Sequence, residues 1–188
     1  MRRLIGVTGP PGAGKSTYAD ALVAAAEEPA VVVPMDGFHL ADRVLESLGL
    51  LDRKGAPETF DAWGYAALLR RLRSSGSPGS VYAPAFERGL EQPLAGAIAV
   101  PPSVTLVVAE GNYLLLDRPE WRAVAAELDE VRYLDLDDDV RRSRLVARHV
   151  EFGKSPSDAA AWVERVDEPN ARLLAASRGR ADLVVTSS

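Results

Sequence analysis

The chain of 188 residues has the size of one ordinary domain, and we expect residues 1–188 to fold as a single unit. Hydrophobic residues make up 47% of the chain and charged residues 26%, a balance that supports a buried core and excludes intrinsic disorder. The net charge of −5 argues against a nucleic-acid partner. The lack of cysteine fits a cytoplasmic location, and no apolar run approaches the roughly 20 residues of a membrane span, so no membrane partner is expected.

Short strand-like runs alternate with longer helical stretches throughout the chain. In chain order, the runs rich in β-branched residues predict strands at 4–8, 30–35, 104–109, 131–136 and 183–186. The stretches between them predict helices at 15–27, 41–48, 61–73, 119–128, 140–152, 156–166 and 170–177, with Asp61 and Ser155 as N-caps. This alternation predicts an α/β fold in which a parallel sheet carries helices on both faces.

Two stretches rich in glycine, proline or serine interrupt the alternation. Residues 74–80 read SSGSPGS, and residues 89–103 contain three prolines. We therefore expect two loops that bound a less regular insert at about 81–102. This insert and the arginine-rich segment near 140–152 are the candidate mobile parts of the domain.

The loop between the first predicted strand and helix matches the phosphate-binding pattern G-x-x-x-x-G-K-[ST] in full. Glycines let such a loop wind around phosphates, a lysine adds a mobile positive charge, and the hydroxyl that follows can bind Mg²⁺. The residues expected to hold the triphosphate of ATP are Gly9, Pro10, Pro11, Gly12, Ala13, Gly14, Lys15, Ser16 and Thr17.

Two acidic residues come directly after other predicted strands. Asp36 follows the strand at 30–35, and Glu110 follows the strand at 104–109. The carboxyl ends of parallel strands meet at one edge of a sheet, so both acids should face the phosphate loop. A single acid at such a place is commonly a cap or turn residue, but two acids that converge on a phosphate loop indicate function. Metal contacts are expected from Ser16, Asp36 and Glu110.

Arginines are dense in the predicted helix at 140–152. At 100° per residue, Arg141, Arg144 and Arg148 fall within about 60° of one another on one face, whereas Arg142 is roughly 100° away from Arg141. One interpretation is a solvated basic face. The other is a mobile lid at about 138–155 that carries guanidinium groups to the transferring phosphoryl group and excludes water.

Two classes of phosphate-loop protein do not fit the sequence. The chain lacks an Asn-Lys-x-Asp segment for reading guanine, which argues against a GTPase switch. It is also too short and too acidic for a helicase or a transporter ATPase.

The chain resembles the P-loop kinases that include uridine kinase, phosphoribulokinase and bacterial pantothenate kinase, and it is most similar to short bacterial nucleoside/nucleotide kinase-like proteins. The resemblance covers nearly the whole chain. It rests on the arginine segment and on residues 9–17, 35–39, 59–61, 110–115 and 168–172. It implies a three-layer P-loop NTPase fold with a mobile lid that bears arginines.

The resemblance also implies roles for individual residues. Asp36 matches the acid that serves as base for the acceptor hydroxyl, and Glu110 matches the acid that helps organise metal and substrate. Arg144 and Arg148 match the lid arginines. We therefore expect Asp36, Lys15, Arg144 and Arg148 to be catalytic, with ATP and Mg²⁺ as cofactors.

The segments that would read the acceptor depart from the uridine kinase pattern. Uridine kinases carry Asp-Ser-Phe-Tyr where this chain has Asp36-Gly37-Phe38-His39, and Tyr-Asp-x-x-x-His where it has residues 82–88. The segment Asp36-Gly37-Phe38 looks more like that of pantothenate kinase. Because the pyrimidine-reading residues are missing, and Arg88 with His39 offers donor groups, we expect an anionic or polyol acceptor.

The sequence thus predicts an ATP- and Mg²⁺-dependent kinase that phosphorylates a hydroxyl of a small metabolite, with a sugar, a pantothenate-like molecule or a hydroxy acid favoured. Acceptor contacts are expected from His39, Phe60, Tyr82, Arg88, Glu110, Asn112 and Tyr113, although each alone could be structural. A uridine or cytidine kinase, a regulatory ATP-binding module without acceptor chemistry, and a homodimer all stay open. Core packing is expected of the three tryptophans, Trp63, Trp121 and Trp162.

Overall fold

The computed structural model describes residues 1–74 and 79–187. Its strands are β1 (Arg3–Thr8), β2 (Ala30–Pro34), β3 (Val81–Glu87), β4 (Gln92–Val100), β5 (Leu106–Glu110), β6 (Glu130–Leu136) and β7 (Leu183–Ser187). In this part of the chain, β2, β5, β1, β6 and β7 form a sheet in that order, with every neighbouring pair parallel. The predicted parallel sheet is confirmed, and each of its strands begins and ends within two residues of the prediction.

Seven α-helices occur in the described residues. They are α1 (Lys15–Ala24), α2 (Asp42–Leu48), α3 (Ala62–Arg73), α4 (Pro119–Ala125), α5 (Asp138–Glu151), α6 (Pro156–Trp162) and α7 (Glu168–Ala175). A π-helical turn, Val163–Asp167, joins α6 to α7, and short 3-10 turns lie at Met35–Phe38, Leu51–Arg53, Pro57–Thr59 and Arg178–Arg180.

The helix starts follow the capping chemistry of the sequence. The carboxylate of Asp61 accepts from Gly64 N–H at 2.8 Å, and the Ser155 hydroxyl accepts from Asp158 N–H at 3.1 Å, which confirms both predicted N-caps. Helix α5 begins two residues before its prediction because Asp137 caps it.

Successive strand residues point to opposite faces of the sheet, so apolar side chains occur on both faces. Helices pack on both faces and bury them. In β1, Leu4 packs into a core that includes Leu69 of α3 and Trp121 of α4, whereas Ile5 packs into a separate core that includes Ala19 of α1. The predicted arrangement of a sheet between two helical layers is confirmed. Within residues 1–74 and 79–187, the helices lack the length and apolar composition needed to cross a bilayer.

The segment expected to be a less regular insert is a β-hairpin, so that prediction was wrong. Strands β3 and β4 pair antiparallel and form their own two-stranded sheet. Ala83 pairs with Ile98 but Ala85 pairs with Leu94, so a bulge of residues 95–97 lies opposite Pro84. The prolines and glycines of this bulged ribbon obscured the alternation that normally indicates strands.

The two predicted loops have different outcomes. Most of the loop expected at 89–103 is strand β4, which corrects that prediction. Of the loop expected at 74–80, residues 75–78 lie outside the described part of the chain.

The strand order brings three segments to one edge of the sheet. Strand β5 lies between β1 and β2, and its last residue, Glu110, is in register with Val7 of β1 and Pro34 of β2. The phosphate-binding loop follows β1, and Asp36 lies in the 3-10 turn that follows β2. The sequence-based expectation that both acids face the loop agrees with this arrangement.

Candidate active site

The phosphate-binding loop leaves β1 and enters α1 at Lys15. Gly12 and Gly14 have φ angles of +82° and +86°, a conformation that glycine adopts without strain. A Cβ atom on Gly12 would lie 2.8 Å from Leu145 Cγ and 2.9 Å from the Arg141 carbonyl oxygen, so this glycine also lets α5 pack directly on the loop. Backbone N–H groups at such a loop and helix start favour bound anions.

Lys15 is a buried cation beside two acids. Its Nζ donates to the Pro10 carbonyl at 3.0 Å, and only 8% of the residue is exposed. Burial lowers the pKa of Lys15, while the carboxylates of Glu110 and Asp36 act in the opposite direction. A phosphate anion beside Lys15 would favour its charged form in the same way.

Glu110 and Ser16 form the candidate metal position. The Ser16 hydroxyl donates to Glu110 Oε2 at 3.4 Å. Burial raises the pKa of Glu110 to about 7, an effect that Lys15 opposes and Asp36 reinforces. The described residues hold no cluster of three or more His, Cys, Asp or Glu side chains suited to a metal ion. Mg²⁺ keeps waters and binds phosphate oxygens beside one or two carboxylates, so a hydroxyl with two nearby acids fits it better than a closed protein cage would.

A cleft of about 430 Å³ joins these groups. Its lining includes most of the phosphate-binding residues, namely Pro11, Gly12, Gly14, Lys15, Ser16 and Thr17. It also includes Asp36, Arg88, Glu110, Asn112, Arg144 and Arg148. The structure therefore brings all the predicted catalytic and metal-binding residues to one cavity. Gly9, Pro10 and Ala13 belong to the loop but do not line the cleft.

The arginines of α5 divide into two pairs. Arg141 and Arg142 both donate to the carboxylate of Glu168 at the start of α7. Arg144 and Arg148 line the cleft, and neither has an acidic partner among the described residues. Arg141 shares a helical face with Arg144 and Arg148 in the sequence, but it does not line the cleft, because its side chain is buried in this ion pair. Arg144 and Arg148 remain free to neutralise phosphate.

Comparison with known proteins agrees with this geometry. Residues 4–188 match the profile of the Phosphoribulokinase / Uridine kinase family. The chain belongs to this family. It is a P-loop kinase, and membership implies the use of ATP, usually with Mg²⁺. The resemblance that the sequence motifs indicated is confirmed.

Individual relatives of the kinase carry several names. A Schizosaccharomyces pombe protein provisionally named a uridine kinase is 35% identical over 179 residues, which cover 89% of this chain and 74% of that protein. The Escherichia coli protein YggC is 33% identical over 189 residues, covering 98% of this chain and 77% of that protein. A Silicibacter crystal structure, provisionally named a fructose transport system kinase, is 42% identical with a TM-score of 0.90, covering 98% of this chain and 89% of that one.

The aromatic residues expected to contact the acceptor lie behind the kinase cleft. The His39 ring packs against the Phe60 ring in a tilted arrangement with centroids 4.0 Å apart, and its Nδ1 donates to the Asp36 carbonyl at 2.9 Å. Burial lowers the pKa of His39. Phe60 and Tyr113 are both buried, and the Tyr113 hydroxyl donates to the Gly55 carbonyl at 2.6 Å. These three side chains support the cleft wall and do not line it.

Tyr82 and two of the three tryptophans do not lie where the sequence analysis predicted. Tyr82 is 60% exposed and does not line the cleft. Trp121 is buried as expected, but Trp63 is 60% exposed and Trp162 lines the cleft. Core packing was therefore the wrong prediction for Trp63 and Trp162.

Sequence reasoning missed part of the lining. Lys54, Gly55, Trp162, Val166, Asp167 and Asn170 also face the cleft. Asp167 Oδ2 pairs with His149 Nε2 at 3.0 Å. One signal was available, because the chain has only three lysines and Lys54 is one of them. Trp162, Val166 and Asp167 lie in or next to the π-helical turn, which no sequence pattern indicated. Asn170 lies in the segment 168–172 that carried the family resemblance, but no role in the site was predicted for it.

A second cavity of about 320 Å³ adjoins the first. The two share Ser16, Asp36, Arg88 and Glu110. The second cavity adds Asp20 of α1 and apolar side chains, including Phe86 of the hairpin. Gly37 allows this arrangement, because a Cβ atom there would lie 2.3 Å from the Pro84 carbonyl oxygen.

Proposed function

We propose that this kinase transfers the γ-phosphoryl group of ATP to a hydroxyl of a small metabolite, with a sugar, a pantothenate-like molecule or a hydroxy acid as acceptor. One observation carries the proposal. A single cleft joins the phosphate-binding loop, Asp36 and two arginines without acidic partners in residues 1–74 and 79–187 to polar groups from separate segments, including Lys54 and Asn170. The loop side suits a triphosphate, and the other polar groups suit an acceptor.

In this proposal, different side chains of the cleft bind the metal, neutralise the phosphates and accept the proton. ATP with Mg²⁺ would supply the transferable phosphoryl group, and Ser16 and Glu110, whose side chains lie 3.4 Å apart, would hold the metal. Lys15, Arg144 and Arg148 neutralise the negative charge of the phosphates. Asp36 orients the acceptor hydroxyl and takes its proton as the new O–P bond forms. A carboxylate suffices as base because proton transfer comes late in a loose transition state.

The polar character of the cleft supports a sugar or acid acceptor. Arg88, Asn112 and Asn170 offer hydrogen-bond donors within the lining. The relative of 42% identity is named as a kinase of fructose transport, which is consistent with a polyol acceptor. A cytoplasmic location and a small-molecule partner belong to the same proposal.

A nucleoside acceptor is the second candidate. The Phe86 ring lines the second cavity and could stack on a base, and one relative is provisionally named a uridine kinase. Uridine or cytidine would then lie between the hairpin and Asp36.

The test is ADP formation measured with ATP and Mg²⁺ across uridine, cytidine, fructose, pentoses, pantothenate and glycerate. We expect the highest kcat/KM with a sugar or an acid, and Lys15→Ala should lower turnover with that acceptor by several orders of magnitude. A preference for uridine or cytidine would establish the second candidate instead. Tight ATP binding without any acceptor-dependent ADP formation would indicate a regulatory ATP-binding module.

A further inference from the structure

Two cations of the cleft lie outside the phosphate-binding machinery. Lys54 comes from the segment before α3, and Arg88 directly follows β3 in the turn of the hairpin. We propose that Lys54 and Arg88 bind an anionic group on the acceptor, a carboxylate or a phosphate, and thereby select anionic acceptors over neutral ones. The inference rests on the proposed function and deepens it by naming the charge class of the acceptor and Lys54 as a specificity residue.

The ammonium group of Lys54 has one donor available. Its Nζ donates to Asp42 Oδ1 at 2.7 Å and to the Glu91 carbonyl at 2.5 Å. An ammonium group has three N–H donors, and the described residues offer no acceptor for the third. Since Lys54 lines the cleft and its side chain is only 20% exposed, the third donor can serve a ligand there.

Neighbouring groups hold Lys54 in place before a ligand arrives. Its Nζ lies 5.5 Å from the centroid of the Phe86 ring. The next residue, Gly55, accepts the hydrogen bond from the buried Tyr113 hydroxyl. A long side chain that is already ordered loses less conformational entropy on binding, so its contact with an anion contributes more to affinity.

Arg88 complements Lys54 because it has no acidic partner among the described residues. It lines both cavities, and its guanidinium carbon lies 5.7 Å from the centroid of the Phe152 ring. Arg141 and Arg142 of α5 differ from Arg88 in this respect, because both form ion pairs with Glu168 and thereby have a structural role. A free guanidinium at a cleft presents a planar fork that matches carboxylate and phosphate oxygens.

The acids of the cleft orient such an acceptor. Asp36 and Glu110 repel an anion placed beside them, and Asp167 is paired with His149. Asp42 is 39% exposed, so water screens its charge and it offsets only part of the Lys54 charge. The anionic end therefore lies by Lys54 and Arg88, which leaves the hydroxyl end of the acceptor for Asp36.

The test uses acceptor pairs in which one member carries an anionic group and the other is neutral: glycerate with glycerol, pantothenate with pantothenol, and fructose 1-phosphate with fructose. Steady-state kinetics of the full chain should give the anionic member of the best pair at least a tenfold higher kcat/KM. Lys54→Met and Arg88→Gln should each lower that value by about 10-fold to 100-fold and change the neutral member by less than about threefold. The carboxylate and phosphate pairs show which anion is bound.

Two controls separate recognition from structure. Lys54→Arg keeps the charge and should restore most of the preference, and Arg71→Met removes an exposed α3 arginine and should change nothing. Equal losses on anionic and neutral acceptors, or a wild-type preference for neutral ones, would overturn the inference and leave the proposed function intact. Failure to phosphorylate any acceptor in this set or in the broader one would contradict the proposed function itself.

Discussion

Arg141 and Glu168 form an ion pair inside the protein, with the two side chains 1% and 3% exposed. Arg141 belongs to α5 and Glu168 begins α7, so the pair ties the first turns of two helices together. Arg142 donates to the other oxygen of the same carboxylate at 3.0 Å. The base of α5 is therefore fixed beside the phosphate-binding loop. Motion of the predicted lid should begin after Arg142.

Glu168→Gln should destabilise the kinase substantially. Removing one partner of a buried ion pair leaves the other charge uncompensated and costs about 3–5 kcal/mol. Urea denaturation would measure the free energy of unfolding. Asp139→Asn is the control, because Asp139 is an exposed partner of Arg142 at 3.5 Å and should change stability by less than about 1 kcal/mol. Equal effects of the two substitutions would show that the buried pair is not structural.

The ionisation of Glu168 should make the stability of the fold depend on pH. Burial of Glu168 opposes ionisation, but hydrogen bonds from Arg141 and Arg142 outweigh it and hold the pKa below its ordinary value of 4.5. Glu168 therefore stabilises the fold above pH 4.5, and this contribution is lost as the pH falls through the lower folded-state pKa. Thermal unfolding between about pH 6 and pH 3 should show a smaller loss for Glu168→Gln than for the wild type. If the wild type and Glu168→Gln lost stability equally over this pH range, the ion pair would not contribute to stability.

Asp36→Asn should separate ATP binding from phosphoryl transfer. The amide keeps the shape of the side chain but cannot take a proton, so acceptor-dependent ADP formation should fall by at least about 1,000-fold. The ATP dissociation constant, measured by calorimetry, should stay within a few-fold of the wild-type value. A comparable loss of ATP binding would place Asp36 mainly on the metal.

Arg148→Ala should lower kcat by about 100-fold and raise the KM for ATP by less than about threefold, if Arg148 acts on the transferring phosphoryl group. Arg142, which lies away from the Arg141 face of the helix, is unsuitable as a control because it binds Glu168. Arg71→Ala, on the exposed surface of α3, is the appropriate comparison. Unchanged kinetics for both Arg148→Ala and Arg144→Ala would mean that these arginines form a solvated face.

Gly37→Ala should displace the hairpin. The added methyl group would lie 2.3 Å from the Pro84 carbonyl oxygen, and strain of this kind costs about 1–3 kcal/mol. Because the hairpin carries Arg88, the KM for the acceptor should rise at least about tenfold while ATP binding changes little. Gly79→Ala serves as the control, since no atom lies within 4 Å of a Cβ there. If Gly37→Ala kept the wild-type KM for the acceptor, the hairpin would not position Arg88 for acceptor binding.

The phosphate side of the site could be predicted from the sequence because its signals are local. Lys15 and Ser16 belong to one contiguous motif, and Asp36 and Glu110 follow strands whose ends must meet in a parallel sheet. No comparable sequence rule predicts that Lys54 lines the cleft. The neighbouring residue Gly55 is held by a hydrogen bond from Tyr113, which is far away in the sequence.

The acceptor side was predicted less well because residue type does not reveal burial. Phe60 and Tyr113 were expected to touch the acceptor, but the helices that pack around them enclose both. Trp162 and Asp167, which line the cleft, lie directly before and at the end of a π-helical turn that interrupts the helix period, and the bulge opposite Pro84 interrupts the strand alternation of the hairpin. Both features are interruptions of regular periodicity, so methods based on periodicity miss them.

The hairpin forms no strand pairing with the five-stranded sheet, and this separation has an evolutionary consequence. Mutations that alter β3 and β4 leave the hydrogen-bonded ladder under the phosphate-binding loop undisturbed. A lineage can therefore explore new acceptors by exchanging this ribbon while its ability to hold and activate ATP is inherited unchanged. Relatives that share the loop and the sheet but bear different hairpins are then expected to diverge in what they phosphorylate.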